Sequence, residues 1–307
     1  MNDEQRVRLD QYLAEKFPEW SRSLLQKFID QGRCTVNGLV VRRSKKLVAP
    51  SDEIILHLPT PPNFSGRTLP VIYSDENVLV INKPAGILTH SKGNLTDEFT
   101  VADFVASQMS TADLASFSPT NNRPGIVHRL DRATSGVLIA AKNLPAHRLL
   151  QKQFAARTAH KTYLAIVEKA PKLDAARIDL PIERNPKAPA EFRVGAAGKP
   201  ASTDYRILEK LPVGGALVEL KPATGRTHQL RVHLTHIGAP IVGDSLYGGG
   251  RDGDRMFLHA ARLEITIPAE PNNQRRIFTA PLPDDFLAEI KRRDGRFDFK
   301  KWLGKND

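Results

Sequence analysis

Beyond residue 70 the chain is dominated by short runs of β-branched and apolar residues, at 77–81, 125–128, 136–141, 162–167, 202–208, 217–220 and 257–267. Helical periodicity intervenes only at 100–109, with Thr100 as its cap, and at 146–156, 227–237 and 284–293. Strands outnumber helices, and strict βαβ alternation is missing. The expected fold class is α+β: a mixed, mainly antiparallel sheet with flanking helices. No internal repeat or low-complexity tract breaks the pattern.

The amino-terminal stretch obeys a different grammar. Leu9, Tyr12, Leu13 and Phe17 share one helical face that Pro18 interrupts. Ser21 can cap a second helix that buries Leu24, Leu25 and Phe28. Asn37-Gly38, set between the β-formers of 34–41, signals a tight hairpin, and 52–56 reads as a closing strand. Pro59, Pro61, Pro62 and Pro70 then suit an extended connection. The expected division is a small α/β domain at 1–62 and a large domain at 63–307, with 63–70 as linker.

Charge narrows the partner. The chain of 307 residues carries 45 Lys and Arg against 34 Asp and Glu, for a formal net charge of +11. Part of that excess is local: Arg22, Lys27, Arg33, Arg42, Arg43, Lys45 and Lys46 are opposed only by Asp30. Such clustering on one small unit points to a phosphate-binding surface and hence to nucleic acid. The bland alternative is a solvated basic face.

Several classes are excluded. A hydrophobic fraction of 40% with 26% charged residues is that of a globular domain, not of a disordered or fibrous chain. Cys34 is the only cysteine, which removes intrachain disulfides and cysteine-rich zinc sites. Residues 1–10 mix both charge signs, and no apolar run is long enough for a membrane helix, so a cytoplasmic protein is expected. His228, His233 and His236 have neither the HExxH spacing nor acidic neighbours, and no metal is expected. Gly248, Gly250 and Gly253 satisfy GxGxxG but precede no helical pattern, Ser135 lacks a GxSxG elbow, and no Walker-type loop is present. No cofactor is implied.

The segment Gly125-Ile126-Val127-His128-Arg129-Leu130-Asp131 is the most informative. In an extended conformation Arg129 and Asp131 project to one side and His128 and Leu130 to the other. A guanidinium beside a carboxylate favours the ionised acid that a nucleophile or base requires. Spacing alone leaves a structural ion pair equally open.

The string HRLDRATSG resembles the signature of the RluA-type pseudouridine synthases, and further family landmarks follow in order. They are Val80-Ile81-Asn82-Lys83-Pro84-Ala85-Gly86, Lys161-Thr162-Tyr163, Gly225-Arg226-Thr227-His228-Gln229-Leu230-Arg231-Val232-His233, Gly243-Asp244-Ser245-Leu246-Tyr247-Gly248 and Ala280-Pro281-Leu282-Pro283. The amino-terminal unit resembles the alpha-L RNA-binding domain of ribosomal proteins. The resemblance implies isomerisation of uridine in structured RNA, ribosomal RNA of the large subunit foremost and transfer RNA as the alternative, by a monomer without cofactor. It implies Asp131 as the catalytic aspartate, Arg231 as its ion-pair partner, Tyr163 against the target base and Arg129 holding the nucleotide outside the stack. A Tyr163 that merely packs and an Arg231 on a solvated helix are the structural alternatives. A non-catalytic RNA-binding protein of the same fold is the rival from another class, and intact Asp131, Tyr163 and Arg231 argue against it. An RNA methyltransferase would need a cofactor-binding glycine loop. The segments after His90 and around 184–198 match nothing in the family pattern.

Overall fold

A computed structural model describes residues 6–58, 62–91, 98–117, 123–251 and 253–304. Pro59 and Pro61 of the proline-rich stretch, most of the segment after His90, and Asp252 of the glycine-rich loop lie outside the described residues. The chain separates into two compact units whose principal boundary falls between Asn63 and Phe64.

In the smaller unit, the helix Leu9–Lys16 buries Leu9 and Leu13, and the helix Arg22–Asp30 buries Leu25, Phe28 and Ile29 against them. Ser21 caps the second helix by accepting a hydrogen bond from the Leu24 N–H. The strands Cys34–Val36 and Leu39–Val41 form the hairpin, and Ile54–Leu56 pairs on the other side of Cys34–Val36. Asn37 (φ 52°) and Gly38 (φ 77°) both occupy the left-handed region, as a two-residue type I′ turn demands. Asp10 is fully buried and accepts hydrogen bonds from Arg8, Arg22 and Gln26, tying the starts of the two helices together.

The larger unit is built on a nine-stranded sheet among the described residues. Its order is Ala175–Asp179, Ser202–Lys210, Ala216–Pro222, His160–Val167, Leu258–Ile267, Ser135–Ala141, Val78–Lys83 and Val71–Ser74, with Gln274–Thr279 also paired to Leu258–Ile267. Every pairing is antiparallel except Leu258–Ile267 with Ser135–Ala141. The architecture is the α+β class expected, and both sheet faces are covered. On Val78–Lys83, Val78 and Val80 face the helix Leu144–Ala156, while Leu79 and Ile81 face the helix Val101–Ser107. On His160–Val167, Ala165 and Val167 pack with Leu230 and Leu234 of the helix Gln229–His236, whereas Leu164 and Ile166 pack with Phe286 and Ile290 of the helix Asp284–Arg292. Double-sided burial is why these strands read as continuous apolar runs rather than as alternating ones.

Two local expectations change. Residues 125–128 are not a strand: Gly125 takes φ 71° in a turn after Pro124, and only Ile126 makes an isolated bridge, to Ala140. The stretch read as linker is anchored to the larger unit at two points, Phe64 ring-to-ring on Phe99 at 5.7 Å and Leu69 buried in the core, while 65–68 and Pro70 are exposed. No described helix is long and apolar enough to cross a membrane.

Candidate active site

Asp131 lies in the turn that enters the strand Ser135–Ala141, and the sheet explains which residues face it. Leu258–Ile267 separates that strand from His160–Val167, whose Tyr163 is in register with Ala260 on one side and Leu220 on the other. The chain leaves Ala216–Pro222, runs through 223–228 and starts the helix that carries Arg231. These segments enclose a cavity of about 440 Å³ lined by Arg129, Asp131, Lys161, Tyr163, His228 and Arg231, among others. That volume is within the range of small-molecule sites.

The turn is held by its backbone, which leaves the carboxylate of Asp131 free for the cavity. Four successive carbonyls are engaged: Leu130 accepts from the Thr89 hydroxyl at 2.8 Å, and Asp131 accepts from the Thr134 N–H at 3.1 Å. Arg132 accepts from the Gly86 N–H at 2.8 Å and from Lys83 Nζ at 3.2 Å, and Ala133 accepts from Arg255 Nη1 at 3.2 Å. Gly136 closes the arrangement, because a Cβ there would lie 2.2 Å from the carbonyl oxygen of Ala260. Lys83 is fully buried and also donates to the carbonyls of Pro84 and Ile87. Burial pushes its pKa down to about 7, against the pull of the Asp131 charge.

Arg231 is largely buried and meets two carboxylates. Its Nε and Nη2 donate to Asp244 at 2.8 and 2.7 Å, and its Nη1 stands 3.6 Å from Asp131. The bidentate grip that the guanidinium fork suggests therefore falls on Asp244, with Asp131 at the remaining corner. The Arg231 guanidinium also sits over the ring of Tyr247, 4.9 Å from its centroid. Burial works against the charge of Arg231, and the hydrogen bonds and charge of Asp244 overcome it. Asp244 and Tyr247 belong to a stretch that resembles a family motif, but nothing in their spacing, thirteen and sixteen residues beyond Arg231, assigns them to that side chain.

Tyr163 is half-buried and packs against two core clusters of the larger unit. Burial, reinforced by the Asp131 charge, pushes its pKa up and keeps the phenol protonated. Arg129 is exposed at the cavity rim. His128 turns from the rim into structure: its Nε2 accepts from the Ile139 N–H at 3.0 Å, and its ring stacks on Phe154 at 4.5 Å. Burial pushes its pKa down to about 3, so the ring is neutral.

In the smaller unit Arg42, Arg43, Lys45 and Lys46 are exposed around one surface groove, and Lys27 is exposed on the second helix. Arg33 is only partly exposed. Arg22 is exposed as well, and its guanidinium also donates to the buried Asp10 at 2.9 Å. Of the three histidines weighed as metal ligands, His228 meets the Tyr247 hydroxyl and His233 is spent on Thr203 and the Leu180 carbonyl. Among the described residues no group of three His, Cys, Asp or Glu is placed to hold a metal ion.

A family model described as RNA pseudouridylate synthase matches residues 77–236, more than half of the chain, and a model described as S4 domain matches residues 7–54. An RNA pseudouridine synthase of Aquifex aeolicus is 40% identical over 248 residues, covering 78% of this chain and 77% of that protein. The ribosomal large subunit pseudouridine synthase D of Xylella fastidiosa is 35% identical over 323 residues, covering 96% of this chain and 92% of that protein. Among solved structures, human RNA Pseudouridylate Synthase Domain Containing 4 aligns with a TM-score of 0.56 at 26% identity, over 74% of this chain and 94% of that one.

Proposed function

The chain belongs to the RNA pseudouridylate synthase family and carries an S4 domain, and from that premise we propose that it isomerises uridines of large-subunit ribosomal RNA with Asp131 as catalytic aspartate. The observation that carries the assignment is the placement of the Asp131 carboxylate 3.6 Å from Arg231 in a cavity shared with Tyr163. The reaction breaks the C1′–N1 bond, turns the uracil inside a closed site and rejoins it through C5. It needs no redox partner. Attack of the carboxylate on C1′, attack on C6 and removal of a sugar proton all require Asp131 ionised, and the Arg231 guanidinium supplies a counter-charge to that form.

The target base lies inside a helix or loop and has to leave its stack, at a cost of a few kcal/mol. Arg129 at the rim is suited to hold the nucleotide outside by contacting phosphate or by filling the vacated space. The Tyr163 ring offers a packing face that limits the rotation of a detached uracil. In this reading the division near residue 63 separates two tasks: the basic S4 unit, through Lys27, Arg33, Arg42, Arg43, Lys45 and Lys46, binds structured RNA, and the larger unit performs the chemistry. The enzyme acts as a monomer in the cytoplasm, where ribosomal RNA is available.

Pseudouridine mapping of total RNA from cells with and without this gene tests the substrate. Loss of one or more pseudouridines from large-subunit ribosomal RNA supports the reading. Loss confined to transfer RNA reassigns the substrate, and an unchanged map contradicts the activity.

A further inference from the structure

His228 lines the active-site cavity, and the family resemblance gives it no role. Its backbone is left-handed, φ 56° and ψ 18°, at the residue that starts the helix Gln229–His236. Few residues other than glycine adopt this conformation, histidine more readily than most, and packing holds it. The imidazole stands edge-on between the rings of Phe192 and Tyr247, with centroids 5.6 and 5.7 Å away, and its Nδ1 lies 2.9 Å from the Tyr247 hydroxyl.

The hydrogen bonds favour one tautomer. The Tyr247 oxygen accepts from the Phe192 N–H at 2.9 Å, so its own proton needs an acceptor. Among the described residues His228 Nδ1 is the one acceptor placed to take it. An Nδ1 that accepts leaves the ring proton on Nε2, which has no hydrogen-bond partner among the described residues. Tyr247 also lies under Arg231, so the element that orients His228 is the one that seats the arginine beside Asp131.

We propose that His228 is a substrate-binding residue whose Nε2–H donates a hydrogen bond to an acceptor oxygen of the flipped uridine, and that Tyr247 presets it for that task. The inference rests on the synthase reading above. Burial holds His228 below its ordinary pKa, and although Asp131 and Asp244 pull it up while Arg231 and Arg129 push it down, the net direction keeps the ring neutral. A neutral donor of this kind suits a carbonyl oxygen of uracil. Cytosine presents an amine at C4 and cannot accept there.

The test uses the full-length enzyme on a protein-free large-subunit ribosomal RNA transcript under single-turnover conditions. His228→Asn tolerates the left-handed backbone and keeps a group near the Nδ1 position to meet Tyr247, but it removes the Nε2–H. The expected result is a melting temperature close to that of wild type, unchanged RNA affinity and a rate lowered about tenfold, the scale of one missing hydrogen bond. A His228→Asn enzyme with the wild-type rate overturns the proposal, because a purely structural histidine is rescued by Asn. If His228→Asn fails to fold, His228→Gly decides: glycine suits the left-handed backbone and removes the ring, and a wild-type rate there overturns the proposal equally. Transcripts carrying 2-thiouridine, 4-thiouridine or 2′-deoxyuridine at the target identify the oxygen. The substitution that slows wild type but not His228→Asn marks it, whereas identical responses of the two enzymes to all three overturn the proposal. Wild-type turnover on the unsubstituted transcript separately checks the synthase reading.

Discussion

Arg231 is gripped by Asp244 through Nε and Nη2, at 2.8 and 2.7 Å, and offers only its third nitrogen to Asp131, at 3.6 Å. The division of labour matters electrostatically. Asp244 fixes the guanidinium plane, so the longer approach to Asp131 need not restrain the carboxylate that the proposed function sends to the substrate. Replacement of Asp244 by Ala takes both short hydrogen bonds from a buried arginine and leaves it only Asp131, and the expected cost is up to about 3–5 kcal/mol of stability. Freed from Asp244, Arg231 closes on Asp131, so turnover falls further than the folded fraction. Thermal melts paired with single-turnover rates read both effects. An Asp244→Ala protein that melts and reacts like wild type would remove Asp244 from this account.

Tyr163 separates packing from chemistry by two substitutions. Tyr163→Phe keeps the ring and should leave folding and RNA binding intact, with a lower rate if the protonated hydroxyl takes part in proton transfer. Tyr163→Leu removes the aromatic face as well and should be slower still, by at least about tenfold relative to Phe. Equal rates for wild type, Phe and Leu would leave Tyr163 with a packing role alone.

The buried Asp10 of the S4 unit gives a pH signature. Burial alone would raise its pKa, but hydrogen bonds from Arg8, Gln26 and Arg22 outweigh it and lower the value to about 2 from an ordinary 3.8. Because the folded state binds the proton more weakly than the unfolded state, the stabilisation is complete above pH 3.8 and lost as pH falls through about 2. Its size is roughly 2 kcal/mol. The unfolding free energies of wild type and Asp10→Asn should therefore differ near neutrality and converge across that window. A difference that stays constant down to pH 2 would show that Asn breaks something other than the ionic contacts.

The two units were legible to different degrees. Short-range chemistry carried the S4 unit: Asn37-Gly38 dictates its own turn, Ser21 caps the helix it precedes, and Thr100 does the same in the larger unit, where it forms a capping box with Asp103. Continuous apolar runs located the central strands. The hairpin of Ile182–Arg184 with Phe192–Val194 escaped detection, because its strands are three residues long and bury little. Residues 125–128 misled in the opposite direction, since Ile126 and Val127 look β-like while Gly125 serves a turn. The site showed the same asymmetry. Asp131, Tyr163 and Arg231 came from local strings, but the grip of Asp244 on Arg231, the capture of Arg22 by Asp10 and the clamp on His228 are tertiary contacts without sequence periodicity.

Salt dependence tests the proposed phosphate surface without truncating the chain. Changing Arg42, Arg43, Lys45 and Lys46 together to Gln should weaken RNA binding and flatten the plot of log affinity against log salt, by about 0.7–0.9 for each phosphate that is no longer neutralised. Folding should persist, since all four side chains are exposed. An unchanged slope would assign RNA binding to another surface.

The central claim is that the Asp131 carboxylate performs the chemistry. Asn at this position preserves size and leaves the backbone bonds of the turn in place, but it can supply neither an anionic nucleophile nor a base. Single-turnover pseudouridine formation by Asp131→Asn on a uridine-containing ribosomal RNA transcript, run beside thermal melts and RNA-binding curves, measures this directly. The expected result is a folded protein that binds RNA like wild type and forms no detectable pseudouridine. Substantial turnover in well-folded Asp131→Asn protein would contradict the claim and reduce Asp131 to a counter-charge for Arg231.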